Sequence, residues 1–344
     1  MRVMFRILSL DGGGIRGAFA AALLARLEQE LAAPITDYFD LIAGTSTGGI
    51  VALALGLGEP AERISRLYKE RGAEIFTRRK PARIRLLDGV CIHLAKRRFP
   101  KATDLGLYRS KYDSGPLTKA LEEVFGDRTL DDVRASRLVI PAVNLVKGKT
   151  VVFKTPHQPK FIRDRYLRAV DVALAATAAP SFFPQHSIHE GSSYADGGLW
   201  ANNPALIGFA EGLKIQTVPK RDGIDTAFSP NDIHVLSIGT GEPEYYAKPG
   251  KEDDGLLWWA TRLFDVGSGA QSQGTDCLVR YILGESRYRR IDFRMPSDPW
   301  PLDEVKALSD LTHFGEEEAI ENYPAIKDWF FSEKKPSYHP FPPK

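Results

Sequence analysis

The sequence predicts an α/β fold built on a sheet of mostly parallel strands. Near the N-terminus a short β-prone segment is followed by a glycine-rich turn and a helical pattern, and the same succession then occurs again. Strands that alternate with helices are typical of parallel sheets, because each helix returns the chain to the start of the next strand. Ile233–Ile238, a third strand pattern, also ends in a glycine turn, Gly239-Thr240-Gly241.

The elements follow from hydrophobic periodicity and from glycine and proline positions. The first strand is predicted over Phe5–Leu10 and its helix over Ile15–Leu31; the second strand covers Tyr38–Ala43 and its helix Ile50–Leu57. Further along, the patterns predict a helix near Ser114–Phe125, a hairpin of Leu138–Val146 and Thr150–Lys154, a helix over Arg168–Ala179, a helix opened by Asn203-Pro204, a glycine-interrupted helical stretch over Leu256–Leu283, a strand near Tyr288–Phe293 and a helix from about Leu302.

Two segments depart from this regularity. Residues 72–112 have weak periodicity, and from Arg78 to Lys111 there are eleven Lys or Arg against two Asp. This composition predicts a basic, lid-like insertion, either a solvated loop over a cleft or a surface that meets an anionic membrane. Residues 336–344 form a Pro-rich tail that we expect to be loose. Since no linker divides the chain, a single domain is predicted over residues 5–320.

Composition excludes several classes of protein. The 344 residues include 46 Lys or Arg and 44 Asp or Glu, so no global field for binding nucleic acid follows. Two cysteines and no His-rich cluster argue against a disulfide framework or a metal site, and a reducing compartment is expected. The longest apolar runs fall short of the ~20 residues that span a bilayer, and the N-terminus lacks a signal-peptide pattern. A cytoplasmic protein is therefore predicted.

The sharpest motif is Gly44-Thr45-Ser46-Thr47-Gly48, between the second strand and the second helix. A serine on a tight strand-to-helix turn projects its hydroxyl beyond the sheet, and the helix N-terminus stabilises negative charge there. The small Gly44 and Gly48 let strand and helix pack closely around it. Ser46 is therefore predicted to be a nucleophile, although an ordinary Ser/Thr/Gly turn is the alternative.

Gly12-Gly13-Gly14-Ile15-Arg16-Gly17 supports two functional interpretations besides a plain turn. It satisfies the G-x-G-x-x-G dinucleotide fingerprint, and consecutive glycine N–H groups also suit an oxyanion hole. The fingerprint requires an acidic residue at the end of the second strand, whereas Asp37 and Asp40 lie at or before its start. Because the second strand ends in the serine turn instead, the oxyanion interpretation explains both motifs.

Asp196-Gly197-Gly198 supplies a carboxylate that can accept a proton from a serine hydroxyl. Asp-Gly is also a generic turn dipeptide, so this motif is weak alone. A Ser-His-Asp hydrolase has its histidine after the acid, and His234, His313 and His339 fit that order. Only His313 is a plausible base, and no signature surrounds it. The sequence therefore favours a Ser–Asp dyad over a triad.

Taken together, Asp-Gly-Gly-Gly-x-Arg-Gly, Gly-Thr-Ser-Thr-Gly-Gly and Asp-Gly-Gly resemble the motifs of the bacterial patatin-like phospholipases. Ala175–Pro184, Asn202-Asn203-Pro204 and Val235–Gly241 also resemble family segments, so that the likeness covers roughly residues 5–320. The resemblance implies a three-layer α/β/α fold and a metal-independent lipid acyl hydrolase. It implies Ser46 as nucleophile, Asp196 as proton acceptor, and Gly12, Gly13, Gly14 and Arg16 as forming or supporting the oxyanion hole.

The resemblance also bears on partners. Some bacterial relatives are anti-phage effectors that a cyclic dinucleotide switches on to degrade membrane phospholipid, and no nucleotide site is apparent from the residues. A phospholipid surface is the expected substrate, which implies a protein peripheral to the inner membrane when active. Trp258 and Trp259 fit an interfacial anchor or a helix core, and the core is favoured. A constitutive lipase, a dinucleotide-binding oxidoreductase and a storage or scaffold protein stay as alternatives, and the oligomeric state is open, a homo-oligomer included.

Overall fold

Seven strands of one sheet organise the protein, whose computed structural model describes residues 4–79, 110–218, 220–221, 227–243, 256–296 and 300–343. The strands are β1 (Phe5–Leu10), β2 (Leu41–Gly44), β3 (Arg137–Asn144), β4 (Lys149–Lys154), β5 (Tyr194–Asp196), β6 (Ile233–Ile238) and β7 (Tyr288–Ile291). Their order is β4-β3-β2-β1-β6-β7, with β5 paired to β3. The pairings among β1, β2, β3, β6 and β7 are parallel, whereas β4 and β5 are antiparallel to β3.

Helices cover both faces of this sheet. They are α1 (Gly17–Leu31), α2 (Thr47–Gly56), α3 (Ala61–Ile75), α4 (Ser114–Phe125), α5 (Ala169–Ala176), α6 (Gly198–Ala201), α7 (Ala205–Gln216), α8 (Leu256–Leu283) and α9 (Leu308–Phe330). Side chains alternate along each strand, so Leu8 and Leu10 join the apolar cluster with α1 and α2. Phe5 and Ile7 join the opposite cluster with α7 and α8. The α/β/α prediction is therefore confirmed.

Strand β3 places two other strands end to end. β2 pairs with its first residues, Ala43 standing opposite Val139, and β4 occupies the other edge from Val139 onward. β5 therefore pairs with the same edge as β2 but further along, with Asp196 opposite Ala142. Because β5 runs antiparallel, its last residue points toward the end of β2. Ser46, the second residue after β2, and Asp196, the last residue of β5, thus meet.

Several predicted boundaries move in the structure. β1 and β6 match their predicted ranges, and β3 and β4 form the predicted hairpin. β2 begins at Leu41 instead of Tyr38, because pairing with β1 begins only there, opposite Ile7; a short 3₁₀ turn at Ile35–Asp37 precedes it. α2 begins directly after Ser46 instead of at Ile50. α8 is continuous through its glycines, and Gly267 and Gly274 face open space.

The basic insertion falls mostly outside the described residues. α3 extends to Ile75, past residue 72, because its apolar residues keep helical spacing to that point. Residues 80–109 lie outside the description, and the chain on either side is joined by a bridge between Arg78 and Tyr112. In the described part of the chain, no helix has both the length and the apolar character needed to cross a membrane.

The Pro-rich tail carries no regular secondary structure over residues 336–343, yet it lies against the protein. Tyr338 is buried, and the Phe341 N–H donates to the Pro156 carbonyl at 2.8 Å. Arg221 lies over the Phe341 ring, 3.9 Å from its centroid. An apolar and cationic contact thus holds a segment that its composition predicts to be loose.

A buried ion network joins the end of β1 to β7 and α8. Arg290 donates to Asp11 at 2.9 Å and to Asp292 at 2.6 Å, and the Ser272 hydroxyl donates to Asp11 at 2.6 Å. Burial raises the pKa of Asp11 to about 6 even with Arg290 beside it. The network therefore anchors the start of the glycine loop, which begins at the residue after Asp11.

Replacing Arg290 should destabilise the fold strongly. Arg290→Met leaves two carboxylates without a counter-charge, one of them fully buried, and breaking a buried pair typically costs roughly 3–5 kcal/mol. Chemical denaturation at about pH 8 measures this loss, which should shrink at about pH 5, where Asp11 binds a proton. Arg289→Met, on the same strand, is the control and should cost under about 1 kcal/mol. Equal unfolding midpoints for the two variants would contradict the assignment.

Candidate active site

Ser46 occupies a tight turn between β2 and α2. Its backbone has φ 52° and ψ −122°, a left-handed conformation that L-residues rarely adopt. Side chains at the flanking glycines would have no room: a Cβ on Gly44 would collide with the Gly48 carbonyl, and one on Gly48 with the Leu10 carbonyl. The two glycines therefore allow the close approach that holds the serine at the strand end, as the motif predicts.

The Ser46 hydroxyl donates a hydrogen bond to Asp196. Ser46 Oγ lies 2.6 Å from Asp196 Oδ2, and the Gly198 N–H donates to Asp196 Oδ1 at 2.7 Å. Asp196 is only 1% exposed, so water does not compete for these contacts. The structure thus brings together the serine and the aspartate that the motifs single out, 150 residues apart in the sequence.

Burial changes the acidity of Asp196. It raises the pKa of this carboxyl to about 6, although the hydrogen bonds from Ser46 and Gly198 lower it. A carboxylate of this kind is ionised at neutral pH and is more basic than an exposed aspartate. A serine hydroxyl beside such a base can lose its proton as it attacks an electrophile.

The glycine loop lies on the other side of Ser46. The Gly12 N–H donates to the Asn202 carbonyl at 3.0 Å, and the Gly12 carbonyl accepts from Thr240 Oγ1 at 2.8 Å. Gly12 thus supports the loop and has no free N–H group. Gly13 and Gly14 line the same cavity as Ser46, and within the described residues their amides donate no hydrogen bond. They are the groups able to stabilise an oxyanion.

The Arg16 side chain supports the glycine loop by a hydrogen bond. Its Nε atom donates to the Gly13 carbonyl at 3.3 Å, and its Nη1 lies 3.8 Å from Met295 Sδ. The side chain lines a neighbouring polar cavity and is not among the residues around the Ser46 cavity. Of the two roles that the resemblance implies for Arg16, the geometry fits support of the oxyanion hole.

The other glycines of the motifs serve close packing. A Cβ on Gly17 would collide with the Thr47 and Tyr68 side chains, and one on Gly197 would collide with the Pro141 carbonyl. Gly17 therefore lets the first turn of α1 contact the serine turn. Gly197 lets the chain leave β5 beside β3.

A cavity of about 810 Å³, including its open mouth, lies in front of Ser46. Its walls are mainly apolar and come from α2, α3, α4, α8 and the segments that follow α3 and α5. They include Ile50, Leu67, Ile75, Phe76, Leu117, Phe182, Phe183 and Phe264. Such an apolar cavity suits a hydrocarbon chain. This cavity wall was not predicted, because the sequence of α3 indicates only that one face of the helix is apolar and does not indicate what that face lines.

Two further residues that shape the site, Asn202 and Thr240, were not predicted as functional. Asn202 holds Gly12 through its carbonyl and its side-chain amide, the latter 3.3 Å from the Gly12 carbonyl. Thr240 packs against Gly13, where a Cβ would collide with it. Both lie in segments that resemble the family, which was the available signal.

The alternatives from the sequence find no support in the geometry. Asp40 accepts a hydrogen bond from the Arg6 N–H at the amino end of β1. The glycine loop follows the carboxyl end of β1, so Asp40 lies at the opposite end of that strand. His313 is exposed on α9 and pairs with Glu317 at 3.1 Å. No histidine among the described residues lines the Ser46 cavity, and no group of three or more His, Cys, Asp or Glu in the described ranges is placed to hold a metal ion.

Comparisons with known proteins identify a family for the chain. The family model of the patatin-like phospholipases matches residues 8–209. A cGAMP-activated phospholipase of Pseudomonas aeruginosa is 37% identical over 306 residues, 88% of this chain and 82% of that protein. One of Escherichia coli is 38% identical over 71% of this chain, and the match spans 64% of that protein, under two thirds. VipD from Legionella pneumophila, a solved structure, gives a TM-score of 0.43 at 13% identity, covering 94% of this chain and 67% of that one.

The reactivity of Ser46 should follow the ionisation of Asp196. We expect labelling of Ser46 by a fluorophosphonate to accelerate as pH rises through about 6 and to level off above it, because only the ionised carboxylate accepts the proton. Labelling rates across pH measure this. Asp196→Asn should label slowly and without that inflection; an inflection that persisted in the variant would assign it to another group, such as Asp11.

The same burial means that the ionised form of Asp196 lowers the free energy of unfolding. Its pKa is higher in the folded protein than in the unfolded chain, so the folded state loses stability as pH rises from about 4 to about 6. About two pKa units correspond to roughly 3 kcal/mol. Asp196→Asn should therefore raise the melting temperature at about pH 8, and by less at about pH 5. A variant that is less stable than wild type at pH 8 would contradict this account.

Proposed function

The chain belongs to the patatin-like phospholipase family, and we propose that it is a serine lipid acyl hydrolase that cleaves the fatty-acyl esters of membrane phospholipids. The observation that carries the proposal is the 2.6 Å hydrogen bond between Ser46 and the buried Asp196 at the base of an apolar cavity. A nucleophile, a base and a site for a hydrocarbon chain are thereby adjacent.

In the proposed reaction, Ser46 Oγ attacks the ester carbonyl carbon while its proton passes to Asp196. The negative charge on the carbonyl oxygen is stabilised by the N–H groups of Gly13 and Gly14 and by the N-terminus of α2. When the intermediate collapses, the C–O bond to the glycerol breaks, the proton returns to the departing oxygen, and an acyl-serine forms. Water, deprotonated by Asp196, then releases the fatty acid and regenerates Ser46.

The cavity supports a fatty-acyl substrate over a polar one. Its lining is apolar around Ser46 apart from the catalytic groups, Asn202 and a few hydroxyls, so burial of an alkyl chain is favourable by about 25 cal/mol for each Å² removed from water. Among the described residues that line this cavity, none is a lysine or arginine that would hold a nucleotide phosphate beside Ser46. This argues against the dinucleotide-binding oxidoreductase.

We extend the proposal to regulation by a cyclic dinucleotide. The support comes from relatives, since the P. aeruginosa and E. coli proteins are described as cGAMP-activated. By the same reasoning, the protein would act in the cytoplasm, peripheral to the inner membrane when active.

The central test compares wild type with Ser46→Ala. Mixed phospholipid vesicles are incubated with each protein, with and without cGAMP, and fatty-acid release is measured beside fluorophosphonate labelling. Wild type should be labelled and should release fatty acid with cGAMP, whereas Ser46→Ala should do neither. Ser193→Ala is the matched control, because Ser193 is also buried near β5 and its hydroxyl has no partner among the described residues.

Each remaining outcome has a defined meaning. Release by wild type without cGAMP would leave a constitutive lipase and remove the regulatory half of the proposal. Equal labelling of wild type and Ser46→Ala, or no labelling of wild type, would overturn the assignment of Ser46.

A further inference from the structure

The β3–β4 hairpin extends beyond the level of the catalytic pair. Asp196 stands opposite Ala142, and the chain continues along β3 to Asn144 before turning through residues 145–148 into β4. Leu145 is three residues past that level, which is roughly 10 Å at ~3.3 Å per residue of strand. The hairpin tip therefore projects from the carboxyl edge of the sheet, the edge at which Ser46 lies.

This tip exposes apolar side chains between lysines. Leu145 is exposed, Val146 is 64% exposed, and Lys147 and Lys149 follow them. The turn is held in place, because the Lys147 N–H donates to Asn144 Oδ1 at 2.9 Å and Asn144 is itself buried. Two adjacent apolar side chains are thus presented to solvent by an ordered turn.

Exposed apolar side chains from two other elements share this edge. Leu199 lies on α6, which begins two residues after Asp196. Leu263, 63% exposed, lies on α8 next to Phe264, and Phe264 lines the cavity and contacts Gly198. Trp259, one helical turn before Leu263, is also exposed, contrary to the predicted core position, whereas the side chain of Trp258 lies outside the described residues. We call Leu145, Val146, Lys147, Lys149, Leu199 and Leu263 the edge surface.

We propose that the edge surface docks the protein on an anionic lipid bilayer and so delivers phospholipid to the cavity. This inference rests on the proposed function. Apolar side chains flanked by lysines match the two layers of such a surface, since hydrocarbon lies beneath negatively charged headgroups. The Leu145 N–H donates to the Ser193 carbonyl at 2.8 Å, which places the turn before β5 beside the tip. That turn contains one acidic residue, Glu190, and the two lysines outnumber it.

The geometry favours a bilayer over a protein partner. The apolar side chains come from three elements at the carboxyl edge of the sheet, and one of them, Leu263, directly precedes Phe264, which lines the cavity. Docking at the opposite edge of the sheet would hold Ser46 away from the lipid by the length of the strands. Only this edge places the bilayer and the nucleophile next to each other.

The test measures binding apart from catalysis. Full-length protein with Ser46→Ala is floated with vesicles of phosphatidylcholine and phosphatidylglycerol in equal parts, with cGAMP present. Adding Leu145→Asp and Val146→Asp should weaken binding at least about tenfold, because two partly inserted apolar side chains become charged. Ile162→Asp is the matched control: Ile162 is 53% exposed and follows β4 toward the opposite edge, so binding should change less than about twofold.

The lysines provide a second variant. The double variant Lys147→Gln, Lys149→Gln should bind the mixed vesicles roughly 10- to 30-fold more weakly, and this binding should depend less on salt concentration than that of the parent protein. Binding to vesicles of phosphatidylcholine alone should not change. In the wild-type Ser46 background, all these variants should hydrolyse a soluble short-chain ester at the wild-type rate, which shows that they fold.

Several results would overturn the inference. These are unchanged binding of the Leu145/Val146 variant, equal losses in that variant and in Ile162→Asp, or a loss explained by a change of oligomeric state in analytical ultracentrifugation. Failure of the proposed function looks different, because wild type would then not hydrolyse the soluble ester while vesicle binding could still depend on the edge surface.

Discussion

One edge of strand β3 is shared by two strands, and the chemistry of the protein depends on that sharing. β2 pairs in parallel along the first part of the edge and β5 pairs in antiparallel orientation along the rest. The two strands therefore end facing each other, with Ser46 just after one and Asp196 last in the other. The 2.6 Å contact between their side chains is a consequence of sheet topology. The glycine loop joins them because β1 ends beside β2, Leu10 standing opposite Gly44.

Holding these groups together is unfavourable locally, and the surroundings compensate. Ser46 has a left-handed backbone, and Asp196 is a carboxylate with almost no access to water. The Gly198 N–H provides the second hydrogen bond that Asp196 needs, and the parallel strands on either side fix the turn at Ser46. Behind the glycine loop, Arg290 and Asp11 anchor the chain. Strain and desolvation thus coincide at the two residues that would react with substrate.

The sequence predicts the local parts of this site better than their assembly. Phe5–Leu10 and the turn around Ser46 are readable because a strand pattern, glycines and a helix pattern follow one another within a few residues. Asp196 is different: β5 has three residues, and its partner β3 lies some 50 residues earlier, so no local pattern places it. Its proposed role came from the Asp-Gly-Gly motif, which is weak alone, together with the resemblance of all the motifs to the family. The continuous α8 shows the reverse error, since packing against the sheet overrides the low helix propensity of its glycines.

A dyad without histidine raises the question of how an aspartate serves as a base for a serine hydroxyl. An exposed carboxylate, with a pKa near 4, is a poor acceptor at neutral pH, whereas an imidazole near 6.5 is a good one. Burial raises the pKa of Asp196 to about 6, which is close to the pKa of an imidazole. The remaining advantage of histidine in a triad is orientation by a third group, and here the Gly198 N–H orients the carboxylate directly. In the proposed dyad, desolvation and one backbone hydrogen bond would therefore perform the two tasks for which a triad uses two residues.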